Sequence, residues 1–330
     1  MPNISEGKFV VVGGASLLGS HIGEQLLAGG AREVVLLDNL ALGSTENIEF
    51  LLGDKRCTFV RGDALRLNEL YDPMANSDGV FAVAGFLAGP LGTNPWLGID
   101  VNVRGLQNIL EASRFQRVKK VVFSSSNGIY GAVGNEPNTD DSPLRWAGMP
   151  PALILYCASK IMGEGLGLLY QQEYGLDFLA LRYSAIYGER QHKRAIAVSQ
   201  MVQAYESIRS GKQPVIERDG TQVTDYIYAG DAARANLMAM SSQASGAGMN
   251  IVSGLDASQN RVVELVLKAC KSDLKAEYYT DPNTLLLPAE TKLDFSRARA
   301  KELLGWEPQV SIEEGIARLV TWLDQNRNQV

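Results

Sequence analysis

The stretch VVVGGASLLGSHIGEQLL, residues 10–27, constrains the fold more than any other part of the chain. It passes from a β-branched strand through a glycine-broken turn into a segment of helical period. Gly13 and Gly19 flank the turn, with Ser16 at its middle small position. Such a turn lets the backbone approach a pyrophosphate, and the helix that follows aims free N–H groups at it. Taken alone the pattern is common. No Lys-Ser/Thr follows Gly19, which excludes a Walker-type phosphate loop.

The same alternation continues. Residues 33–38, 57–63, 79–85, 118–126 and 176–184 are short apolar runs bounded by Gly, Asp or Ser, and read as buried strands. Between them lie segments of helical period, several closed by Gly. Strand-helix alternation of this kind predicts a doubly wound α/β fold, a parallel sheet covered on both faces. After residue 183 the rhythm loosens into a smaller α/β lobe with helices at its C-terminal end. The expected division is a Rossmann-type dinucleotide domain over 1–182, with segments near 220–255 returning to it, and a substrate-binding lobe over 183–330.

With 330 residues, 45% of them hydrophobic, the chain can bury a large core. A net charge of −6 argues against nucleic acid as a partner, since phosphate backbones select basic surfaces. Cys57, Cys157 and Cys270 are widely spaced and odd in number, so neither a disulfide framework nor a zinc site is expected. With only His21 and His192, a histidine-based metal site or triad is not expected either. A reducing cytoplasm fits this usage. No signal-peptide pattern and no unbroken apolar run of membrane-spanning length is expected to act as one.

Asp38 ends the second strand in LLDNL, where an acid can hold both hydroxyls of an adenosine ribose and repel a 2′-phosphate. That favours NAD over NADP. Asp63, in RGDAL after the third strand, is placed for the adenine amino group. For both acids the alternative role is capping a helix. In ILYCASK, Tyr156 and Lys160 are four residues apart and share one helix face. On spacing alone a surface pair with a packed ring is the better reading, and catalysis the lesser one.

GGASLLGSH, LLDNL, RGDA, AVAG, NVRGLQNILEA, VVFSSSNGIYG, YCASK, LRYSAIYG, DYIYAGDAARAN and LLGWEP, in this order, resemble the extended short-chain dehydrogenase/reductase family, in its sugar-nucleotide epimerase and dehydratase branch. The likeness covers essentially the whole chain. It implies Tyr156, Lys160 and Ser126 as the catalytic set, although the 30 residues from Ser126 to Tyr156 slightly exceed the family's gap. A free phenol ionises near 10. Lys160 and a nicotinamide cation are expected to bring Tyr156 toward neutral pH, so that it takes a substrate proton while Ser126 holds the oxygen.

The resemblance also implies backbone N–H groups of Leu17 and Leu18 at the pyrophosphate, Asn39 beside Asp38, and Ala64 beside Asp63. It implies Val83, Ala84 and Gly85 along the cofactor, Asn102 and Ser124 packed near it, and Tyr183 on the nicotinamide side. For Val83 and Ala84, plain strand core is the alternative. The long segments 99–115 and 155–174 imply a homodimer through a helix bundle, with burial inside the monomer as the other explanation of their apolar residues.

The neighbourhood of Ser126 offers Asn127 and no carboxylate, so the resemblance is greatest to simple 4-epimerases. Several departures keep a second reading open, a dehydrogenase or reductase of a free sugar, sugar acid or other alcohol. Thr224 stands where the family carries an Arg before Asp225, no Arg lies in YYTDPNTLLLPAETKLD, and Ser184 replaces an Asn. Arg190, Lys193, Arg194 or Arg218 are candidate replacements at a substrate phosphate, with a solvated basic loop as the alternative. The expected substrate-contacting set is Ser126, Asn127, Ser184, Arg190 and Arg218. The apolar segment 86–98 walls the site or packs as core.

Overall fold

The computed structural model describes residues 1–131, 137–191, 196–280 and 293–326. From the N-terminus, β1 (Lys8–Val12), α1 (Leu17–Ala28), β2 (Glu33–Asp38), α2 (Glu49–Leu52), β3 (Cys57–Arg61), α3 (Asn68–Met74) and β4 (Gly79–Ala82) follow one another. Then come α4 (Ala88–Thr93), α5 (Pro95–Ile99), α6 (Leu106–Phe115), β5 (Lys120–Ser126), α7 (Pro151–Tyr174) and β6 (Asp177–Tyr183). The remainder comprises β7 (Ala185–Tyr187), α8 (Ile196–Arg209), β8 (Val215–Glu217), β9 (Val223–Tyr228), α9 (Ala229–Ser241), β10 (Ala247–Ile251), β11 (Asp256–Ser258), α10 (Gln259–Ala269), β12 (Glu277–Tyr279), α11 (Ala298–Leu304) and α12 (Ile312–Gln325).

Seven strands form one sheet in the order β10-β6-β5-β4-β1-β2-β3, every neighbouring pair parallel. This is a Rossmann-like doubly wound sheet. Alternate residues of the strands serve two cores. Phe9, Val11, Leu36, Phe81 and Val122 pack beneath α1 and α9, and Val10, Val12, Leu37, Val80 and Phe123 beneath α3, α6 and α7. The strand order reverses between β1 and β4, so the carboxyl ends of the strands open a crevice there.

The lobe has a three-stranded sheet, β11-β9-β7, and a two-stranded ribbon, β12-β8. Its core gathers Tyr187, Tyr205, Tyr226, Val262, Val266, Ile316 and Leu319. The Trp-Glu-Pro turn is tied to α9. Trp306 Nε1 donates to the Asp231 carbonyl, and the Asp231 carboxylate accepts N–H bonds from Gln309 and Val310.

α7 starts with Pro151 in its first turn and stops at Gly175 in the left-handed conformation, at φ 68°. It is long and apolar enough to cross a bilayer by length and composition, yet it lies across the sheet. A Cβ on Gly163 would meet the Phe123 ring at 2.7 Å, and one on Gly167 would meet Phe178 at 2.1 Å. The small residues of α7 thus serve contact with the sheet, while Ile161, Met162, Leu168 and Leu169 are exposed. The expected continuous helix over 99–115 is instead interrupted by a wide π-type turn, Asp100–Gly105, which aims Asn102 inward.

Candidate active site

A cleft crosses the carboxyl ends of β1 to β4. Gly13, Ser16, Asp38, Asn39, Asp63, Ala64, Val83, Ala84 and Gly85 all line it. Its floor demands glycine. Gly13 has φ 90°, and a Cβ there would stand 2.6 Å from the Ala84 backbone nitrogen. Ser16 caps α1, accepting from the Gly19 N–H and donating to the Gly13 carbonyl. The first-turn N–H groups of Leu17 and Leu18 have no acceptor within their own helix, the arrangement that suits a phosphate.

Asp38 is oriented before anything binds. Its carboxylate accepts N–H bonds from Ala15 at 3.1 Å and Leu40 at 2.8 Å. Gly43, not anticipated in the sequence, packs against it, since a Cβ there would come 3.0 Å from both oxygens. Asn39 is exposed and accepts from the Ala41 N–H, and Asp63 accepts from the Leu65 N–H. Phe86, from the segment expected to wall the site or pack as core, also lines the cleft, and Val101 is a lining residue that sequence reasoning missed.

At the end of β5, Ser126 caps a short 3-10 turn, Asn127–Tyr130, its hydroxyl accepting from the Gly128 N–H. The same side chain interacts with the Tyr156 phenol. Tyr156 sits in an apolar cluster with Leu91 and Cys157, bordered by Phe86 and Met149, so segment 86–98 packs onto the phenol. Cys157 donates to the Gly128 carbonyl and is buried. Lys160 Nζ donates to the Ser124 carbonyl at 2.9 Å. A Cβ on Gly85 would lie 3.3 Å from both Lys160 Nζ and Asn102 Oδ1, which places the ammonium at the cleft wall. Asn102 itself bonds both backbone groups of Phe86 and the Ser159 hydroxyl. Tyr183 is buried and accepts from Asn236.

Burial dominates the electrostatics of the pair. In the protein alone, burial pushes the Tyr156 phenol up to about 12, against a smaller lowering by Ser126. Burial likewise pulls Lys160 down to about 8, opposed by the Glu164 carboxylate. Desolvation penalises the charged form of each. The lysine beside it therefore does not by itself make this tyrosine acidic.

Among the described residues, the expected phosphate-gripping Arg190 and Arg218 do not line this cleft. Arg190 is buried, its guanidinium bonded to Glu24 and His21 of α1 and stacked over Phe50, and it lines a different cavity, between α1 and α12. A buried guanidinium needs such partners. Arg218 stands at the end of β8 with its backbone at φ 59° and its N–H on the Tyr279 carbonyl. Ser184 is buried after β6. Lys193, Arg194 and residues 281–292 lie outside the described residues.

A model of the NAD dependent epimerase/dehydratase family matches residues 9–253. The chain belongs to this family. It is 30% identical over 324 residues to a UDP-glucose 4-epimerase of Mycolicibacterium smegmatis, covering 97% of this chain and 99% of that one. Among solved structures, the UDP-glucose 4-epimerase of Thermotoga maritima with UDP-glucose superposes at TM-score 0.85 and 28% identity, covering 97% and 99%. The dTDP-glucose 4,6-dehydratase of Streptomyces venezuelae, with NAD bound, superposes at TM-score 0.85 and 26% identity, covering 97% and 98%.

The epimerase/dehydratase family is NAD-dependent, and the cleft fits that cofactor. Its glycine floor leaves no room for a Cβ, its helix end is open, and its oriented carboxylate suits a ribose diol.

Proposed function

We propose that the chain is an NAD-dependent epimerase of a nucleotide sugar that works through transient oxidation to a keto intermediate. The observation that carries this reading is the meeting of Ser126, Tyr156 and Lys160 at one end of the cofactor cleft. When bound, NAD⁺ supplies the acceptor for a hydride from the substrate carbon and can return it. Tyr156 Oη takes the proton of the substrate hydroxyl, and Ser126 hydrogen-bonds the same oxygen and holds it in line. Lys160, anchored on Ser124, orients the ribose and provides positive charge beside the phenol. Gly13, Ser16, Leu17, Leu18 and Gly19 hold the pyrophosphate, and Asp38 and Asn39 the adenosine ribose. Asp63 and Ala64 border the adenine. Asn127 beside Ser126 offers no acid for elimination, which favours epimerisation over dehydration.

The exposed apolar residues of α7 support a homodimer formed through that helix, in the cytoplasm. The first 182 residues, with the segments near 220–255 returning to them, would bind the dinucleotide and the rest of the chain from 183 the sugar.

The test is incubation of the NAD-loaded protein with UDP-glucose. Appearance of the 4-epimer without net NADH, lost in Tyr156→Phe, is the expected result. Stoichiometric NADH accumulation, or turnover that survives Tyr156→Phe, would overturn it. A second reading, a dehydrogenase of an alcohol lacking a nucleotide, draws on Arg190 being held by α1 and on Thr224 in place of a cationic side chain. It predicts NADH accumulation with a free sugar or sugar acid.

A further inference from the structure

Ser124, Ser125 and Ser126 meet α7 at three successive points. The Ser124 carbonyl accepts from Lys160, and the Ser126 side chain interacts with Tyr156. Between them the Ser125 hydroxyl donates to Glu164 Oε1 at 2.6 Å. Side chains alternate along a strand, so Ser125 shares the α7-facing side of the sheet with Phe123. On α7, Lys160 and Glu164 are four residues apart and therefore stacked on one face.

Glu164 is 9% exposed, and a carboxylate at that depth requires partners. Arg182 on β6 supplies them, donating through Nε at 2.9 Å and Nη2 at 2.7 Å to its two oxygens. The remaining Arg182 nitrogen donates to Tyr130 Oη at 2.9 Å and to the Asp140 carbonyl at 2.6 Å. The carboxylate is thus clamped from β5 and β6, one helical turn beyond the lysine that faces the cofactor cleft. Buried ion pairs contribute little net stability compared with apolar packing, so this one invites a role beyond holding the fold.

We propose that Glu164 is a positioning residue for Tyr156 and Lys160: clamped by Ser125 and Arg182, its carboxylate keeps Lys160 an ammonium and holds the serine run in register with α7. The proposal rests on the reading of Tyr156 and Lys160 as the reacting pair. Lys160 is faced by Tyr156 and Glu164 from α7, by the Ser124 carbonyl and the Phe123 ring from β5, and by Asn102 from the π-type turn. Arg182 stands on the far side of Glu164. Of the ionisable groups among the described residues, Glu164 is the one whose charge favours the protonated lysine, against burial. Removing that charge lowers the proton affinity of Lys160, so the ammonium is lost at lower pH.

The direct test is a nuclear magnetic resonance titration of NAD-loaded protein carrying isotope-labelled lysine nitrogen, the Lys160 signal being assigned by its loss in Lys160→Met. Glu164→Gln keeps the shape of the side chain and should move the Lys160 midpoint down by about one pH unit. Ser125→Ala alters no charge and leaves the carboxylate on Arg182, so the midpoint should stay near that of the parent. A midpoint unchanged in Glu164→Gln overturns the proposal and leaves a structural ion pair. Where Glu164→Gln fails to fold, Glu164→Met combined with Arg182→Met replaces the ion pair with apolar side chains, and an unchanged midpoint there overturns the proposal likewise. Turnover by Tyr156→Phe is a separate measurement: if it persists, the reading of the reacting pair fails, whatever the lysine titration shows.

Discussion

Lys160 reaches past the Tyr156 ring to the backbone of β5. Its Nζ donates to the Ser124 carbonyl at 2.9 Å and stands 5.8 Å from the centroid of the phenol ring. Burial acts on the two groups in opposite directions, pushing the phenol up to about 12 and the ammonium down to about 8. Raising the pH through about 8 therefore removes the positive charge that is to favour the Tyr156 phenolate in the NAD-loaded protein. Turnover is expected to decline above that pH instead of climbing toward 10. A pH–rate profile checks it, and Lys160→Met should remove the descending limb together with most of the activity. A profile that rises steadily to pH 10 would contradict this account.

Tyr156→Phe keeps the ring that packs against Leu91 and removes only the hydroxyl. A positioned acid–base group contributes on the order of 10²–10⁴ to rate. The variant should lose activity on that scale while its thermal midpoint and NAD affinity stay near those of the parent. Binding calorimetry and steady-state kinetics on one preparation separate the two effects.

Asp38→Ala removes the cleft-lining carboxylate that we propose holds the adenosine ribose. Two charge-assisted hydrogen bonds to a diol are each worth roughly 1.5–3 kcal/mol. NAD affinity should fall by at least about tenfold, and the preference over NADP should shrink because the repulsion of a 2′-phosphate is gone. The variant also orphans the N–H groups of Ala15 and Leu40, so some loss of stability accompanies it. Titration with both dinucleotides reads the ratio; an unchanged NAD/NADP ratio would remove Asp38 from the ribose.

Six strands of the main sheet were legible because each is a compact apolar run bounded by turn residues. The seventh, β10, was not, because its AGMNI mixes Gly and Asn among few apolar residues and is recruited by pairing with β6. The residues lining the cleft were legible because Gly13, Asp38, Asp63 and Gly85 sit at strand ends, where local sequence and tertiary position coincide. Arg190 was not, because where a buried guanidinium finds its partners is decided by α1, far away in sequence. Gly43 and Val101 carry no local signal of lining a cleft. The direction of the Tyr156 shift was also hidden: spacing of four residues brings a lysine near, but says nothing of how deeply both are desolvated.

His21 gives the last prediction. It is buried between α1 and the loop after β7, with Nε2 against the Glu189 carbonyl at 3.3 Å and Nδ1 against Arg190 Nη2 at 2.8 Å. Since Arg190 can only donate, Nδ1 accepts and the imidazole is neutral with its proton on Nε2. Burial, reinforced by Arg190, lowers its pKa from 6.5 to about 3. The unfolded chain therefore binds a proton between pH 6.5 and 3 that the native protein refuses. By linkage, native stability falls as pH falls through that window, by at most about 1.4 kcal/mol per unit from this one group. Urea unfolding at steps from pH 7 to 4.5 should show His21→Gln, destabilised at pH 7 by the lost bonds, converging on the parent as the medium acidifies. Parallel curves for the two proteins across that range would show that the imidazole protonates freely in the native state.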